Sequence, residues 1–391
     1  MIVRQFINWV RTAPAGERAE ATRSLARAWL VSDLTEDDRT AAEGALLMLL
    51  DDASPLVRQA MAEVFARSND APAAIVQALS VDQPSVALPV LEHSPLLIDA
   101  DLVDIIATGN CDMQCAVARR VNLPASVCAA IAEVGSASAA LELIENAYAE
   151  LAPFSWDRIV ERHGHLAAIR ESMLVLEDLP SATRAALVAK LSDTLTQFVV
   201  ARNWLSADRA VRVAGEARDR STVNIAARSR GDDMRGLVRH LRATGQLTAG
   251  LILRALLSGN LELFDHALAE LSGLPQSRVS ALLHDRGGAS LHALLQRAGL
   301  PESTFAAFRV ALEVNHETGF VDSVDGAARL RRRMVERVLT HCETDQQAAG
   351  PLLILLRRFA TESAREEART FCHEMVADEA VAPIHHELIA A

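Results

Sequence analysis

Arginines concentrated between positions 201 and 254 are the residues best suited to recognition chemistry in this sequence. The stretch holds 11 arginines against 5 acidic residues, in a chain whose net charge is −12. A guanidinium group binds a carboxylate or a phosphate through two parallel hydrogen bonds. We therefore predict a surface that binds acidic or phosphorylated protein segments, formed by Arg228, Arg235, Arg239 and Arg242.

One predicted helix positions three of these arginines. Its apolar face consists of residues at helical spacing, namely Met234, Leu237, Val238 and Leu241. Arg235, Arg239 and Arg242 fall on another face at i, i+4 and i+7. The pattern also fits an ordinary solvent-exposed helix face, or arginines that pair with acids of the N-terminal part of the chain. The same alternatives apply to a second basic cluster at residues 329–337.

Motifs for catalysis or metal binding are missing from the sequence. There is no GxSxG elbow, no GxxxxGK(S/T) or GxGxxG loop and no HExxH pattern. Adjacent side chains on one helix point in different directions and do not chelate a metal together. This applies to the tightest clusters, which are His163-x-His165, His341-Cys342, Cys372-His373 and His385-His386. We predict no catalytic residue, no metal site and no cofactor, although Ser, His and Asp residues distant in sequence could still meet in a pocket between modules.

Composition favours a helical, cytoplasmic protein. Half of the residues are hydrophobic and 4% are aromatic, so the core is built from alanine, leucine and valine, which suits packed helices. The five cysteines form no CxxC pair and indicate reduced thiols. With no run of about 18 uncharged apolar residues, we expect neither a membrane span nor a signal peptide. The acidic net charge weighs against a dedicated nucleic-acid binder.

An internal repeat organises the first third of the chain. Asp52, Asp82 and Asp112 follow one another at intervals of 30 residues, each between two apolar helical runs. Such helix pairs must stack to bury their apolar faces, which predicts an α-solenoid. We expect each carboxylate to satisfy backbone amides of the helix that follows it, and to pair with an arginine of the next repeat. An acidic ladder that binds metal is disfavoured, because stacked helices hold equivalent positions about 10 Å apart.

The turn pattern D-x-x-P-x-V-R, formed by Asp52, Pro55 and Arg58, resembles that of HEAT-type repeats. Residues 40–135, and again residues 250–260, resemble an uncharacterised bacterial family of HEAT-like, all-helical proteins classed as a domain of unknown function. Two positions depart from the pattern, since Leu88 stands where the register requires arginine and Arg119 comes one place late. The resemblance implies helical repeats and partner binding, and it brings no catalytic residues with it.

We therefore predict an all-α protein with three parts: a HEAT-like helical repeat domain over residues 1–150, connecting helices over 151–204, and a second all-helical module over 205–391. The pattern from 181 to 228 contains no strong helix breaker and is typical of a long helix that bridges subdomains or forms a homodimer face. The predicted function is that of a non-enzymatic scaffold or adaptor for a protein partner. The alternative is a nucleic-acid-associated protein that binds duplex backbone through the arginine-rich helical face.

Overall fold

Two compact helical units make up the chain, Met1–Leu179 and Pro180–Ala391, called unit 1 and unit 2 below. The computed structural model describes Phe6 and residues 8–10, 12–284, 288–318, 324–344 and 350–381. Over these residues every regular element is a helix, which confirms the all-α fold class, and the sole β feature is an isolated bridge between Leu123 and Ala149. The boundary between the units falls inside the segment interpreted from the sequence as connecting helices. None of the described helices combines the length and the apolar composition needed to cross a membrane.

Unit 1 is an array of short helices that pack on their neighbours. The helices are α1 (Ala15–Val31), α2 (Glu36–Leu49), α3 (Pro55–Phe65), α4 (Ala73–Ser80), α5 (Pro84–His93), α6 (Asp99–Thr108), α7 (Cys111–Ala118), α8 (Ala125–Val134), α9 (Ala137–Glu145), α10 (Pro153–His163) and α11 (Ala167–Val175). The odd-numbered helices α1 to α9 pack in succession, each on the next, and α9 packs on α11, while α6, α8 and α10 follow one another in the same way. The result is a solenoid-like array.

Asp52 and Asp82 link consecutive helices of this array. Each carboxylate accepts a hydrogen bond from a backbone amide just before the following helix, Asp52 from Ser54 and Asp82 from Gln83. The side chain of Ser54, at the N-cap position of α3, makes no capping hydrogen bond, and Pro55 occupies the first turn of the helix. The Asp52 carboxylate, which accepts a hydrogen bond from the Ser54 amide, therefore organises this turn in place of a Ser54 side-chain cap.

The arginine partners of these carboxylates lie in the preceding helices, not in the next repeat as expected. Arg18 of α1 donates to both oxygens of Asp52, at 2.8 and 2.9 Å. Arg58 of α3 binds both oxygens of Asp82 in the same bidentate manner and also donates to the Asp52 carbonyl. Each arginine therefore pairs with the aspartate of the following repeat, and the pairs Arg18–Asp52 and Arg58–Asp82 are called the ladder below.

The third repeat lacks this link. Leu88 occupies the position that Arg58 holds one repeat earlier, and Asp112 has no ion-pair partner among the residues described by the structure. Asn110 caps α7 instead, since its side chain accepts a hydrogen bond from the Met113 amide. Arg119 pairs with Glu142 of α9. Because position 88 holds leucine where the repeat pattern has arginine, no guanidinium is available there to pair with Asp112, and the ladder ends at Asp82.

Protonation of this ladder should weaken unit 1 in acid. Partial burial is the largest single influence and opposes ionisation of Asp52 and Asp82. The arginine hydrogen bonds, the backbone amide hydrogen bonds and the arginine charges together outweigh it and hold the pKa of each carboxyl below its usual value. A group with a depressed folded-state pKa stabilises the fold above the unfolded value of about 3.9, and this contribution is lost as the pH falls through the folded pKa. We expect the urea midpoint of unit 1 to fall below about pH 4, and to fall less in Asp52→Asn/Asp82→Asn.

The matched control changes two exposed aspartates of the same unit, Asp51→Asn/Asp70→Asn. Urea unfolding at a series of pH values, followed by circular dichroism, measures all three proteins. If the ladder variant and the control lose stability in acid as steeply as the unsubstituted protein, the two ion pairs do not govern acid sensitivity.

Arginines also close helix ends in unit 1. Arg120 donates to the carbonyls of Leu91 and Ser94, at 2.6 and 2.7 Å, where α5 ends. Arg162 repeats this arrangement at the end of α8, with the carbonyls of Ala132 and Gly135, both at 2.9 Å. The last carbonyls of a helix have no partner within the helix, so each guanidinium satisfies two of them from another element of the array.

Unit 2 contains longer helices around two apolar cores. They are α12 (Ser181–Ala201), α13 (Ala207–Ala226), α14 (Gly231–Ala243), α15 (Ala249–Leu257), α16 (Leu261–Ser272), α17 (Gln276–His284), α18 (Gly288–Arg297), α19 (Phe305–Thr318), α20 (Val324–Thr344) and α21 (Gly350–Val381), with a 3₁₀ turn at Glu302–Thr304. One core surrounds the stacked rings of Phe264 and Phe308, and the other surrounds Met234, Leu237 and Leu241 of α14.

The predicted continuous helix from 181 to 228 is wrong. The segment forms two helices, α12 and α13, which are joined by residues 202–206 and pack against each other. Asn203 has φ = +56° in this turn, a left-handed conformation that asparagine adopts more readily than most residues. A sequence pattern that looks for glycine or proline misses this break.

The N-terminus of α12 is held by α14. Pro180 provides no capping side chain, and the carboxylate of Asp233 accepts hydrogen bonds from the amide and the hydroxyl of Ser181. The Ser181 hydroxyl also contacts that of Ser229, and both serines are buried. A carboxylate distant in sequence thus replaces the local cap and fixes the α12–α13 hairpin to the rest of unit 2.

Candidate functional site: an arginine-lined groove in unit 2

The four arginines predicted to bind a partner are all exposed, but they differ in their contacts. Arg235 pairs with Asp232 in its own helix at 2.9 Å, and Arg242 binds the side chain and the carbonyl of Glu270, both at 2.8 Å. Arg228 and Arg239 have no ion-pair or hydrogen-bond partner in the part of the chain that the structure describes. The predicted face therefore keeps two arginines available for a ligand.

A larger concentration of arginine lines a groove between α13 and α21. The groove has a volume of about 780 Å³ and six arginines in its walls: Arg220, Arg254, Arg357, Arg358, Arg365 and Arg369. Three glutamates accompany them, Glu216, Glu362 and Glu366. This arginine groove thus has three more arginines than glutamates, in a chain whose overall charge is −12.

Helical spacing produces the two walls. On α13 the lining residues Val213, Glu216, Ala217 and Arg220 lie at i, i+3, i+4 and i+7. On α21 the groove is lined at positions 354, 358, 361, 365 and 369, which also follow one helix face. The opposite face of α21 packs into the core through Leu352, Leu356 and Phe359. Burial of that apolar stripe therefore turns the arginines of α21 towards α13.

Ion pairs hold part of the groove in place. Glu216 of α13 pairs with Arg358 of α21, and Glu343 of α20 binds Arg357 at 3.0 Å. Glu362 lies between two arginines, with distances of 2.8 Å to Arg254 and 3.1 Å to Arg220. These pairs leave part of the groove's guanidinium charge unmatched.

Arg365 and Arg369 carry that unmatched charge. Both are exposed, they stand one helical turn apart on α21, and neither has an ion-pair or hydrogen-bond partner among the described residues. Their guanidinium groups are free to meet an external anion. They also suit mutagenesis, because no described contact of the fold depends on them.

A model for a family of uncharacterised proteins conserved in bacteria (DUF2336) matches residues 86–346, about two thirds of the chain. The chain belongs to the DUF2336 family. This confirms the resemblance to an uncharacterised bacterial family of helical proteins. No curated protein and no solved structure matches the chain. The DUF2336 match includes the α13 wall of the groove and ends before α21 begins.

Anion binding is the chemistry that this DUF2336 groove supports best. Six of its nine charged side chains are guanidinium donors, which bind carboxylates and phosphates bidentately. Among the described residues, no group of three or more His, Cys, Asp or Glu side chains could hold a metal ion. Burial raises the pKa of the Cys115 and Cys128 thiols to about 11, which keeps them protonated and poor nucleophiles. His385 and His386 lie outside the described residues.

None of the four arginines predicted from the sequence to bind a partner lines the groove. Arg220 and Arg254 belong to the counted stretch 201–254 but were not among the four arginines chosen from it. The arginines of α21 lie outside the stretch 201–254 from which that prediction was made. A usable signal was present, since Arg358, Arg365 and Arg369 recur at helical spacing on the face opposite the apolar stripe.

Proposed function

We propose that this DUF2336 chain is a non-enzymatic, cytoplasmic scaffold or adaptor that binds an acidic segment of a protein partner in the arginine groove. The excess of arginine over glutamate in the groove carries the proposal, and the exposed, unpaired Arg365 and Arg369 are its strongest part. A groove between two helices accommodates an extended or helical segment. Acidic side chains of that segment would pair with guanidinium groups that the fold leaves unneutralised.

The solenoid-like array of unit 1 supports the same proposal, because stacked helices present a rigid extended surface of the kind used in partner binding. The groove in unit 2 adds a chemical preference of its own. Acidic segments are favoured, and basic ones are repelled by like charge.

Charge reversal in the groove tests the proposal. We expect Arg365→Glu/Arg369→Glu to weaken binding of a short fluorescent peptide of alternating glutamate and serine by at least about tenfold, because two attractive charges become repulsive. Fluorescence anisotropy measures the affinity, and circular dichroism checks that helicity is unchanged. Binding should also weaken with added salt, since the groove is open to solvent.

The matched control is Arg228→Glu/Arg239→Glu, which makes the same change in net charge on the face predicted from the sequence. We expect the control to bind the peptide within about twofold of the unsubstituted protein. A loss in the control with none in the groove variant would move the binding surface to α14. Tighter binding of a short duplex DNA than of the peptide, lost in the same variant, would instead favour the nucleic-acid alternative.

A further inference from the structure

A second, smaller cavity adjoins the arginine groove. It has a volume of about 130 Å³ and shares Arg220, Arg254, Glu362 and Glu366 with the groove, and its other polar lining residues include Arg331 of α20 and Asn260. A single water needs roughly 10–15 Å³ measured in this way. The cavity therefore has room for a polyatomic group carried by a ligand in the groove.

Arg254 is the most buried charge in the cavity wall, with an exposed fraction of 8%. Its Cζ atom lies 4.2 Å from the centre of the Phe359 ring, and its Nη1 donates to Glu362 at 2.8 Å. Its Nε and Nη2 have no hydrogen-bond partner within the described parts of the chain. The contact with the Phe359 ring fixes the plane of the Arg254 guanidinium, and its Nε and Nη2 remain available to donate to a ligand.

Other donors at the cavity also lack partners. The Nε of Arg331 and the Nδ2 of Asn260 are buried and make no hydrogen bond to any described residue. Asn260 caps α16, whose N-terminus adds positive partial charge at the same place. Buried donors without acceptors are costly, so a ligand rich in acceptor oxygens would be stabilised here.

The acids of the cavity are more exposed than Arg254. The side chains of Glu362 and Glu366 are 27% and 40% exposed, against 10% for the Arg254 side chain. Each glutamate supplies one negative charge and two oxygens. A phosphate monoester supplies nearly two charges and three acceptor oxygens, so it satisfies more donors than the carboxylate that it would displace.

We propose that this cavity binds the phosphate group of a phosphorylated serine or threonine in the acidic segment that occupies the arginine groove. The inference rests on the proposed function of the groove and names the modification that the groove's partner carries. The shared lining residues place the cavity where a side chain of the docked segment enters it. Phosphorylation of the partner would then control how tightly it binds.

The test compares three short fluorescent peptides on the full chain. The first alternates glutamate and serine, the second carries one central phosphoserine in the same sequence, and the third replaces two serines by glutamate to match the charge of the second. We expect the phosphopeptide to bind at least about tenfold more tightly than the charge-matched peptide. Millimolar inorganic phosphate should remove this preference without affecting the first peptide.

Asn260→Asp is the decisive variant. Aspartate retains the acceptor that caps α16, but it replaces the Nδ2 donor by a negative charge, so the preference for phosphoserine should fall to about twofold or less. Arg331→Gln should have the same effect and gives a second measurement if Asn260→Asp folds poorly. The affinity for the unphosphorylated peptide should change by no more than about threefold in either variant.

Each outcome separates the two proposals. Equal binding of the phosphopeptide and the charge-matched peptide would overturn the phosphate site and leave the groove standing, whereas binding of none of the three peptides would overturn the groove itself. If inorganic phosphate binds the protein as tightly as the phosphopeptide does, the cavity is a site for the free ion, and the proposal of a phosphoserine site is overturned. A phosphoserine preference that survives both variants would place the phosphate elsewhere.

Discussion

Substituting Arg120 by alanine is expected to lower the free energy of unfolding of unit 1 by about 2–4 kcal/mol. The carbonyl of Leu91 would need an amide donor from residue 95 to continue the helix, but residue 95 is proline and has no N–H. Arg120 supplies the missing donor to Leu91 and a second one to Ser94. Leu91 and Ser94 are fully buried, so alanine at position 120 would leave two buried acceptors unsatisfied.

Arg119→Ala is the matched control for this prediction. Arg119 is the neighbouring arginine, its side chain is 48% exposed, and it makes a surface ion pair with Glu142. Such pairs contribute about 0–1 kcal/mol. Urea unfolding followed by circular dichroism compares the two variants. Equal losses would show that Arg120 contributes only as a surface charge.

Asp233→Ala should destabilise unit 2 by about 2 kcal/mol. The substitution removes an ionised acceptor from the amide and the hydroxyl of Ser181. A hydrogen bond to a charged group contributes about 1.5–3 kcal/mol, and because Asp233 is itself exposed, we expect its two bonds together to contribute near the low end of that range. Ser181 and Ser229 are 6% and 2% exposed, so water reaches their hydroxyls poorly once the carboxylate is gone. The α12–α13 hairpin would lose its link to α14.

The adjacent residue provides the comparison. Asp232 is exposed and pairs with Arg235 in the same helix, so Asp232→Ala should change the urea midpoint very little. Both variants remove one negative charge from the first turn of α14, so the lost interaction with the helix dipole is similar in both and drops out of the comparison. A loss of stability in Asp232→Ala as large as that in Asp233→Ala would contradict the capping role of Asp233.

The repeat joints of unit 1 could be predicted because their contacts are local and periodic. Asp52 and Asp82 stand next to the amides that they bind, and a 30-residue interval is visible in the sequence. The position of their arginine partners was not predictable in the same way. The bidentate pairs join residues 34 and 24 positions apart, so their direction depends on how helices stack.

Helix ends marked by glycine were also predictable, whereas those closed by distant side chains were not. Gly259 and Gly273 follow α15 and α16 and adopt the left-handed conformation, with φ of +76° and +68°, which is the usual role of glycine at a helix C-terminus. Arg120 reaches carbonyls 29 and 26 residues away, and no local pattern encodes that. The turn pattern singled out Arg119 instead, which lies on the surface.

The arginine groove could not be derived from sequence because its walls are distant in the chain. Arg254 and Glu362, which meet in the groove, are 108 residues apart. The local count of charge between 201 and 254 identified an arginine-rich region but not which of its members face an opposing wall. Only the packing of α21 on the core brings its arginines opposite α13.

Photo-crosslinking of an acidic peptide to the intact chain tests the central claim most directly. The glutamate–serine peptide, with one serine replaced by benzoylphenylalanine, is irradiated on the protein, and mass spectrometry locates the attachment sites. We predict attachment to the groove-lining segments of α13 and α21, around residues 213–220 and 354–369, and its loss in Arg365→Glu/Arg369→Glu. Attachment confined to α14 or to unit 1, unchanged in that variant, would contradict the proposal that the arginine groove binds the partner.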